Sequence, residues 1–279
     1  MKLIKEKVLP IIINALREDV GSGDITGSLL FEKDIHVTAD IIAKDNCVLC
    51  GIDVAKWIFN ALDERIVFKP LSNDGDKIKR KKRVASLKGS VKNILAGERT
   101  ALNFLGRLSG ISTLSNAFSE KIKGTKAKAL DTRKTTPGLR ELEKYAVRTG
   151  GGVNHRMGLW DQVLIKDNHL ALRSIEDAVS KAKARHFKNI EVEVDNIDDY
   201  KKALKSGADI VMLDNMSPAE IRKAVKLVKK GAKVMLEVSG KVNLENIRSI
   251  AKAGVDRISI GALTHSVSSI DFSLEIRRQ

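Results

Sequence analysis

The chain has 279 residues, room for one large or two modest domains, and 43% of them are hydrophobic, enough for a sizeable core. Its formal net charge of +15 leaves nucleic acid, anionic membrane and anionic metabolites open as partners, but aromatics at 4% supply few stacking platforms for single-stranded nucleic acid. No apolar run approaches the roughly 20 residues of a membrane span, and the N-terminus lacks an apolar signal core with a small-residue cleavage site, so a cytoplasmic protein with no membrane partner is expected.

In chain order, Lys5–Leu16 has helical periodicity, with Pro10 expected in a first turn or at a kink. Val37–Ala43 and Ile66–Phe68 read as strands, and Val54–Leu62 as a short helix. Cys47 and Cys50 form an isolated CxxC. With no second pair and no nearby histidine they are expected to be small buried hydrophobes near a strand end, not a zinc site. Asn73-Asp74-Gly75-Asp76 is a turn signal, and Lys77–Arg83 reads as a solvated basic hairpin face. A long helix is expected over Val91–Phe118, with Leu95, Leu102, Leu105, Leu108 and Ile111 on one side; it carries Glu98, Arg99 and Arg107. This first part, residues 1–102, reads as a separate α+β domain.

After residue 125 short β-rich runs alternate with amphipathic stretches. The predicted strands are Ala127–Asp131, Gln162–Lys166, Ile190–Val194, Ile210–Leu213, Val234–Val238 and Arg257–Ile260. The predicted helices between them are Ile175–Ala184, Asp198–Ser206, Pro218–Lys230 and Leu244–Ala253, with Gly207, Gly231 and Gly254 expected as left-handed C-caps. Repeated βα units imply a parallel sheet. Each strand is apolar until its C-terminal end and then turns charged or glycine-rich, as in Ala129-Leu130 before Asp131-Thr132-Arg133-Lys134. Glu191-Val192-Glu193-Val194-Asp195 alternates as an inward-facing strand would. Six strands ending in polar chemistry favour an α/β barrel, whose active site lies at the C-terminal strand face, over a doubly wound sheet with one switch point.

The polar ends are rich in cations: Arg133, Lys134, Arg140, Arg148, His155, Arg156 and Lys166. Arg meets carboxylates bidentately and Lys supplies a point charge, so such a cluster expects anions. Glu193 and Asp214 follow on the next strands; they can hold Mg²⁺, directly or through water, bind ribose hydroxyls, or form structural ion pairs with Arg133 or Lys166. Ser239-Gly240 and Gly261-Ala262 end the last two strands, where barrels often place a phosphate. Gly150–Arg156 is glycine-rich but lacks the spacing of a P-loop.

Gly97–Asn103, Leu108–Thr113, Asp131–Pro137, Gly150–Gly158, Leu164–His169, Glu191–Asn196, Leu213–Met216 and Gly261–Ser266 resemble the quinolinate phosphoribosyltransferases, also called nicotinate-nucleotide pyrophosphorylases (carboxylating). The similarity runs in register from Glu18–Gly27 to the C-terminus. It implies an N-terminal α+β sandwich, to which residues 267–279 return, before an incomplete, open α/β barrel over residues 103–266, the type II phosphoribosyltransferase architecture. It implies a homodimer or a hexamer of dimers. Arg133, His155, Arg156 and Lys166 would hold the two quinolinate carboxylates, with Arg99 arriving from the partner chain. Lys134 and Lys166 would meet the diphosphate. Glu193 and Asp214 would hold ribose hydroxyls and Mg²⁺, and Ser239, Gly240, Gly261 and Ala262 the 5′-phosphate of phosphoribosyl diphosphate. Lys134, Lys166, Glu193 and Asp214 are the expected catalytic set. One departure is Lys241, where the family usually has a second glycine. The implied activity is phosphoribosyl transfer to quinolinate with decarboxylation, a step of de novo NAD biosynthesis. A relative acting on another pyridine carboxylate, such as nicotinate, stays open. A nucleic-acid binder is the reading from another class; it predicts steep salt dependence but finds no recognisable module here.

Overall fold

In the computed structural model, which describes residues 3–228 and 233–277, two hydrophobic periodicities become two kinds of sheet. α1 (Lys5–Val20) and α2 (Ile25–Leu30) precede β1 (His36–Ala43), β2 (Cys47–Val48), α3 (Ile52–Leu62), β3 (Val67–Pro70), β4 (Lys77–Ile78) and β5 (Arg83–Ser90). α4 (Val91–Lys121) leads to β6 (Lys128–Leu130), α5 (Arg140–Thr149), β7 (Leu164–Ile165), α6 (Asp167–Leu170), α7 (Ile175–Ala184) and β8 (Glu191–Val194). Then come α8 (Ile197–Ser206), β9 (Ile210–Asp214), α9 (Pro218–Leu227), β10 (Met235–Ser239), α10 (Ile247–Lys252), β11 (Arg257–Ser259), α11 (Ala262–His265) and β12 (Phe272–Ile276). The chain divides into two compact units: residues up to Asn116 with Thr135–Gly151 and the residues from Thr264 on, and Ala117–Lys134 with Gly152–Leu263.

The first unit is built on an antiparallel sheet of order β12-β1-β5-β3. Ala39, Ile41 and Ala43 are fully buried at alternate positions of β1, the period-two pattern that turns one face of a strand to a core. The C-terminal strand β12 pairs with β1, where Arg277 grips the buried Asp40 through Nε at 2.9 Å and Nη2 at 2.8 Å. α1 packs against α3 and buries Val8, Ile12 and Leu16, one residue per turn. Pro10 falls inside α1, beyond its first turn, so the Glu6 carbonyl loses its usual i+4 donor. Cys47 and Cys50 are buried and free, as expected of small hydrophobes; Cys47 pairs with Ile78 in the β2–β4 ladder. The Asn73–Asp76 turn forms, with Gly75 at φ 95° and Asp76 N–H donating to Asn73.

The second unit carries the parallel sheet, of order β6-β11-β10-β9-β8-β7, and Val153 adds an isolated parallel bridge to Leu130. This is the expected incomplete α/β barrel. Its strands match the predicted runs to within two residues at either end, because an apolar run bounded by turn residues marks a buried parallel strand directly. Side-chain caps start the helices: Ser174 for α7, Asn196 for α8, and a Ser217–Glu220 capping box with Pro218 for α9. Gly207 takes the left-handed C-cap of α8 at φ 74°, and Gly254 lies at φ 98° after α10; Gly231, Lys229 and Lys230 lie outside the described residues. α10 starts three residues later than Leu244, since the Asn243 side chain accepts from Glu245 and Asn246 N–H and turns the chain there instead. At the opposite ends of the strands, Asp209 and Asp256 accept from Ile190 and Leu236 N–H, the same device used twice to set strand register.

Candidate active site

Parallel pairing fixes which strand-end side chains are neighbours. Ile165 lies opposite Val192, so Lys166 follows beside Glu193; Val194 lies opposite Leu213, and Asp214 opposite Ser239. Lys166, Glu193, Asp214 and Ser239 therefore stand side by side at the C-terminal ends of β7 to β10. Lys166 Nζ donates to Glu193 Oε2, and the Glu193 side chain keeps only 14% of its surface exposed. Of the readings open for Glu193, the ion pair with Lys166 is the one formed here.

Asp214 is oriented by its neighbour: Asn215 Nδ2 donates to Asp214 Oδ2 at 2.7 Å. Asn215 itself sits in the left-handed region at φ 53°, and its N–H donates to the Ser239 carbonyl. Gly240 follows at φ 95°, packed so close that a Cβ there would meet Asn215 Oδ1 at 2.2 Å and Asn215 N at 3.0 Å. Lys241 also has positive φ, 47°, so it takes up the backbone shape that a glycine adopts without strain. Its side chain is exposed and its carbonyl accepts from Asn246.

On the other side of the sheet order, Asp131 ends β6 fully buried. Its carboxylate accepts the His155 N–H at 2.9 Å and the Asn154 side chain, tying the Asp131–Lys134 turn to the 152–156 loop. Thr132 Oγ1 accepts from Lys134 N–H, which shapes the turn that presents Arg133 and Lys134, both exposed. Arg156 is buried, with Nη1 donating to the Gln162 carbonyl at 3.1 Å. Its pKa is lowered, first by burial and next by the positive charge of Arg133. A buried arginine held beside a second arginine is a site built for anions.

His155 packs its ring against two carboxylates, one on β8 and one on β10. It is buried, and Nε2 stands 3.2 Å from Glu191 Oε2 and 3.4 Å from Glu237 Oε1. Burial opposes a charged ring, and hydrogen bonds to the two carboxylates favour one. Nδ1, however, accepts the Arg156 N–H at 2.7 Å, and a second ring proton would face that donor head on. The hydrogen-bond direction decides for the neutral ring that donates from Nε2. Glu237 is held in the charged range by His155, Arg257 and Ser259 against its burial, while burial drives Glu191 upward.

Gly261 and Ala262 close β11 and open α11, in the same unit. The structure thus brings Arg133, Lys134, Arg156, Lys166, Glu193, Asp214, Ser239, Gly240, Gly261 and Ala262 to strand ends or their following turns in the second unit. Arg99 is exposed on α4 in the first unit and is not among them. Sequence reasoning put Glu191 on an inward-facing strand without giving it a role, and passed over Glu237, Arg257 and Ser259, which meet His155 or one another inside the barrel. The one available signal was a glutamate set within the apolar run Met235-Leu236-Glu237-Val238.

Comparison with known proteins gives consistent matches. Residues 111–275 match the family model described as quinolinate phosphoribosyl transferase, C-terminal domain, and residues 24–109 match its N-terminal domain. A probable nicotinate-nucleotide pyrophosphorylase (carboxylating) of Bacillus subtilis is 42% identical over 93% of this chain and 90% of its own. One from Methanocaldococcus jannaschii is 42% identical over 99% of both chains. The solved nicotinate-nucleotide pyrophosphorylase of Francisella tularensis is 45% identical, covers 99% of this chain and 98% of its own, and superposes with a TM-score of 0.94.

Proposed function

The chain belongs to the quinolinate phosphoribosyltransferase family, and on that premise we propose how its strand-end residues divide the reaction. The enzyme transfers phosphoribosyl from phosphoribosyl diphosphate to quinolinate with decarboxylation, giving nicotinate mononucleotide, diphosphate and CO₂, a step of de novo NAD biosynthesis. The observation that carries the residue assignment is the buried Arg156 beside Arg133, two planar guanidinium cations for a substrate with two adjacent carboxylates.

In this reading Arg133, Arg156 and Lys166 hold the quinolinate carboxylates, and His155 supports them from below. Lys134 and Lys166 meet the diphosphate. Ser239, Gly240, Gly261 and Ala262 cradle the 5′-phosphate; the close approach of Asn215 to Gly240 supports a backbone surface there rather than side chains. Glu193 and Asp214 face the ribose. Their carboxylates are hard oxygen donors, partly exposed on adjacent strands, which suits Mg²⁺ completing its shell with water and substrate oxygens. When bound, that ion neutralises charge on the leaving diphosphate.

The chemistry follows from placement. As the bond from the anomeric carbon to diphosphate breaks, positive charge grows on the ribose, and the Glu193 and Asp214 carboxylates stabilise it. The pyridine nitrogen of quinolinate forms the new bond from the opposite face. Its positive charge then lets the adjacent carboxylate leave as CO₂, with the electron pair held on the ring carbon until a proton replaces the carboxylate. The cations contribute by holding two polyanions in reacting distance, which is an orientation effect.

We further propose a homodimer or hexamer in which Arg99 reaches the neighbouring site; its exposure on α4 and the exposed Ile25, Leu29 and Leu30 support such a surface. No helix among the described residues is long and apolar enough to cross a membrane, and two free cysteines suit the cytoplasm we assign. The test is a coupled assay of CO₂ and nicotinate mononucleotide, with and without Mg²⁺. Arg133→Ala is expected to lose about 100-fold or more in kcat/KM with an unchanged circular dichroism spectrum. Wild-type turnover by that variant would refute the role given to Arg133.

A further inference from the structure

Inside the second unit, below Arg156, four groups form a closed ring of contacts. Arg156 N–H donates to His155 Nδ1, and Arg156 Nη1 donates to the Gln162 carbonyl. Gln162 Nε2 donates to Glu191 Oε2 at 2.9 Å, and Glu191 returns to His155 Nε2 at 3.2 Å. The ring therefore fixes both the backbone and the guanidinium of Arg156. Glu237 is the ring's outside anchor. Its Oε1 lies 3.4 Å from His155 Nε2 and accepts from Ser259 Oγ. Its Oε2 stands 2.6 Å from Arg257 Nε, a contact of charges whose N–H is not aimed along the line, so both atoms lack a hydrogen-bond partner. Glu191 and Glu237 are 0% exposed. Fully buried carboxylates are costly unless they are paired and hydrogen-bonded, as these two are to His155, Gln162, Arg257 and Ser259.

The same His155, Glu191 and Glu237 atoms lie close enough together to surround a cation. Two of the donor positions are already engaged, Nε2 as a hydrogen-bond donor and Glu237 by Arg257, which favours a proton-linked network over a metal.

We propose that Glu237, held by Arg257 and Ser259 and acting through His155, is a positioning residue that aims Arg156 at a quinolinate carboxylate. The proposal rests on the reading of Arg156 as a carboxylate ligand. Glu237 touches no substrate in this arrangement. Its effect is confined to the pyridine half of the site, because the ring contains no residue assigned to the ribose or either phosphate group.

The experiment compares steady-state kinetics of Glu237→Gln and Ser259→Ala with wild type, varying quinolinate and phosphoribosyl diphosphate separately. Glu237→Gln keeps the shape and removes the charge. It is expected to raise KM for quinolinate about ten- to a hundred-fold, leaving KM for phosphoribosyl diphosphate within about two-fold. Ser259→Ala, which removes one hydroxyl, is expected to raise KM for quinolinate by a few-fold and decides the matter if Glu237→Gln does not fold. A fall in thermal stability with both KM values unchanged makes the network merely structural and overturns the proposal. So does an equal rise in both KM values, or a metal ion retained stoichiometrically by the dialysed wild type and lost from Glu237→Gln. Wild type that fails to release CO₂ from quinolinate refutes the activity instead, and is visible before any variant is compared.

Discussion

Gly240→Ala perturbs the phosphate end of the site in a way the geometry lets one size. A Cβ at Gly240 would meet Asn215 Oδ1 at 2.2 Å and Asn215 N at 3.0 Å, and φ is +95°, where side chains are strained. Leaving the clash aside, a non-glycine residue in a left-handed conformation costs about 1–2 kcal/mol. The Asn215 side chain must swing away, and its hydrogen bond to Asp214 goes with it, about 0.5–1.5 kcal/mol more. The sum, about 1.5–3.5 kcal/mol, corresponds to a fall in Tm of about 3–6 °C for a chain of this size. Kinetically, KM for phosphoribosyl diphosphate should rise about ten-fold while KM for quinolinate holds. Adding Asn215→Gly removes the colliding atom at a position, φ 53°, that glycine adopts freely. The hydrogen bond to Asp214 is then lost once and not twice, so the double variant should be less destabilised than the sum of the two single variants by about 0.5–1.5 kcal/mol, a coupling between touching residues. Wild-type Tm and kinetics for Gly240→Ala, or strict additivity in the double variant, would refute this account of the Asn215–Gly240 contact.

Two further outcomes are expected. Burial, with help from Asp45, pushes the Cys47 thiol up to about 11, and burial drives Cys50 well above its ordinary value. At about pH 8 only about one Cys47 in a thousand is thiolate. Native protein should therefore resist a thiol-titrating disulfide reagent that modifies both cysteines once guanidinium is added; fast labelling of the native fold would contradict this packing. Asp40 is held below its ordinary value, chiefly by hydrogen bonds from Arg277. A depressed carboxyl stabilises the fold above its unfolded pKa, and this contribution fades as pH falls through the folded one. Asp40→Asn should lower Tm at about pH 6 and converge on wild type near about pH 2; a gap that persists in acid would mean that packing, not charge, is what Asp40 supplies.

The barrel was legible because each strand announces itself twice. Ile210–Leu213 is apolar and then meets Asp214-Asn215; Glu191–Val194 alternates and then meets Asp195-Asn196. Those two signals located the strands and the level of the site together, and the parallel registers brought the expected residues side by side. The direction of a single side chain was not legible. His155 follows three glycines and precedes an arginine, which describes a pocket loop equally well whether the ring points out or in. What turns it inward is Glu191 on β8, Glu237 on β10 and the Asp131 carboxylate on its own N–H, and none of these is local in sequence. The helix across Pro10 was legible in Lys5–Leu16; of the first turn and the kink left open for the proline, the first turn is excluded, and burial of Val8, Ile12 and Leu16 holds the helix across a residue that local propensity would use to break it.

The buried carboxylates also bear on why so cationic a mouth can exist before substrate arrives. Two like charges about 5 Å apart repel by about 3 kcal/mol at an effective dielectric near 20, and desolvation adds to that for a buried guanidinium such as Arg156. Salt screens a pair with one member inside the protein much less than an exposed pair. Glu191 and Glu193 both act to raise the Arg156 pKa against burial and against Arg133, so the barrel interior supplies part of the anion that the substrate will later supply. Glu191, fully buried and two residues deeper along β8 than Glu193, supplies its share from inside the barrel. A carboxylate in front would compete with quinolinate; one behind lowers the cost of the empty site without occupying it. The general excess of +15 has no such arrangement, since most of its lysines are exposed, where solvent and salt already screen them.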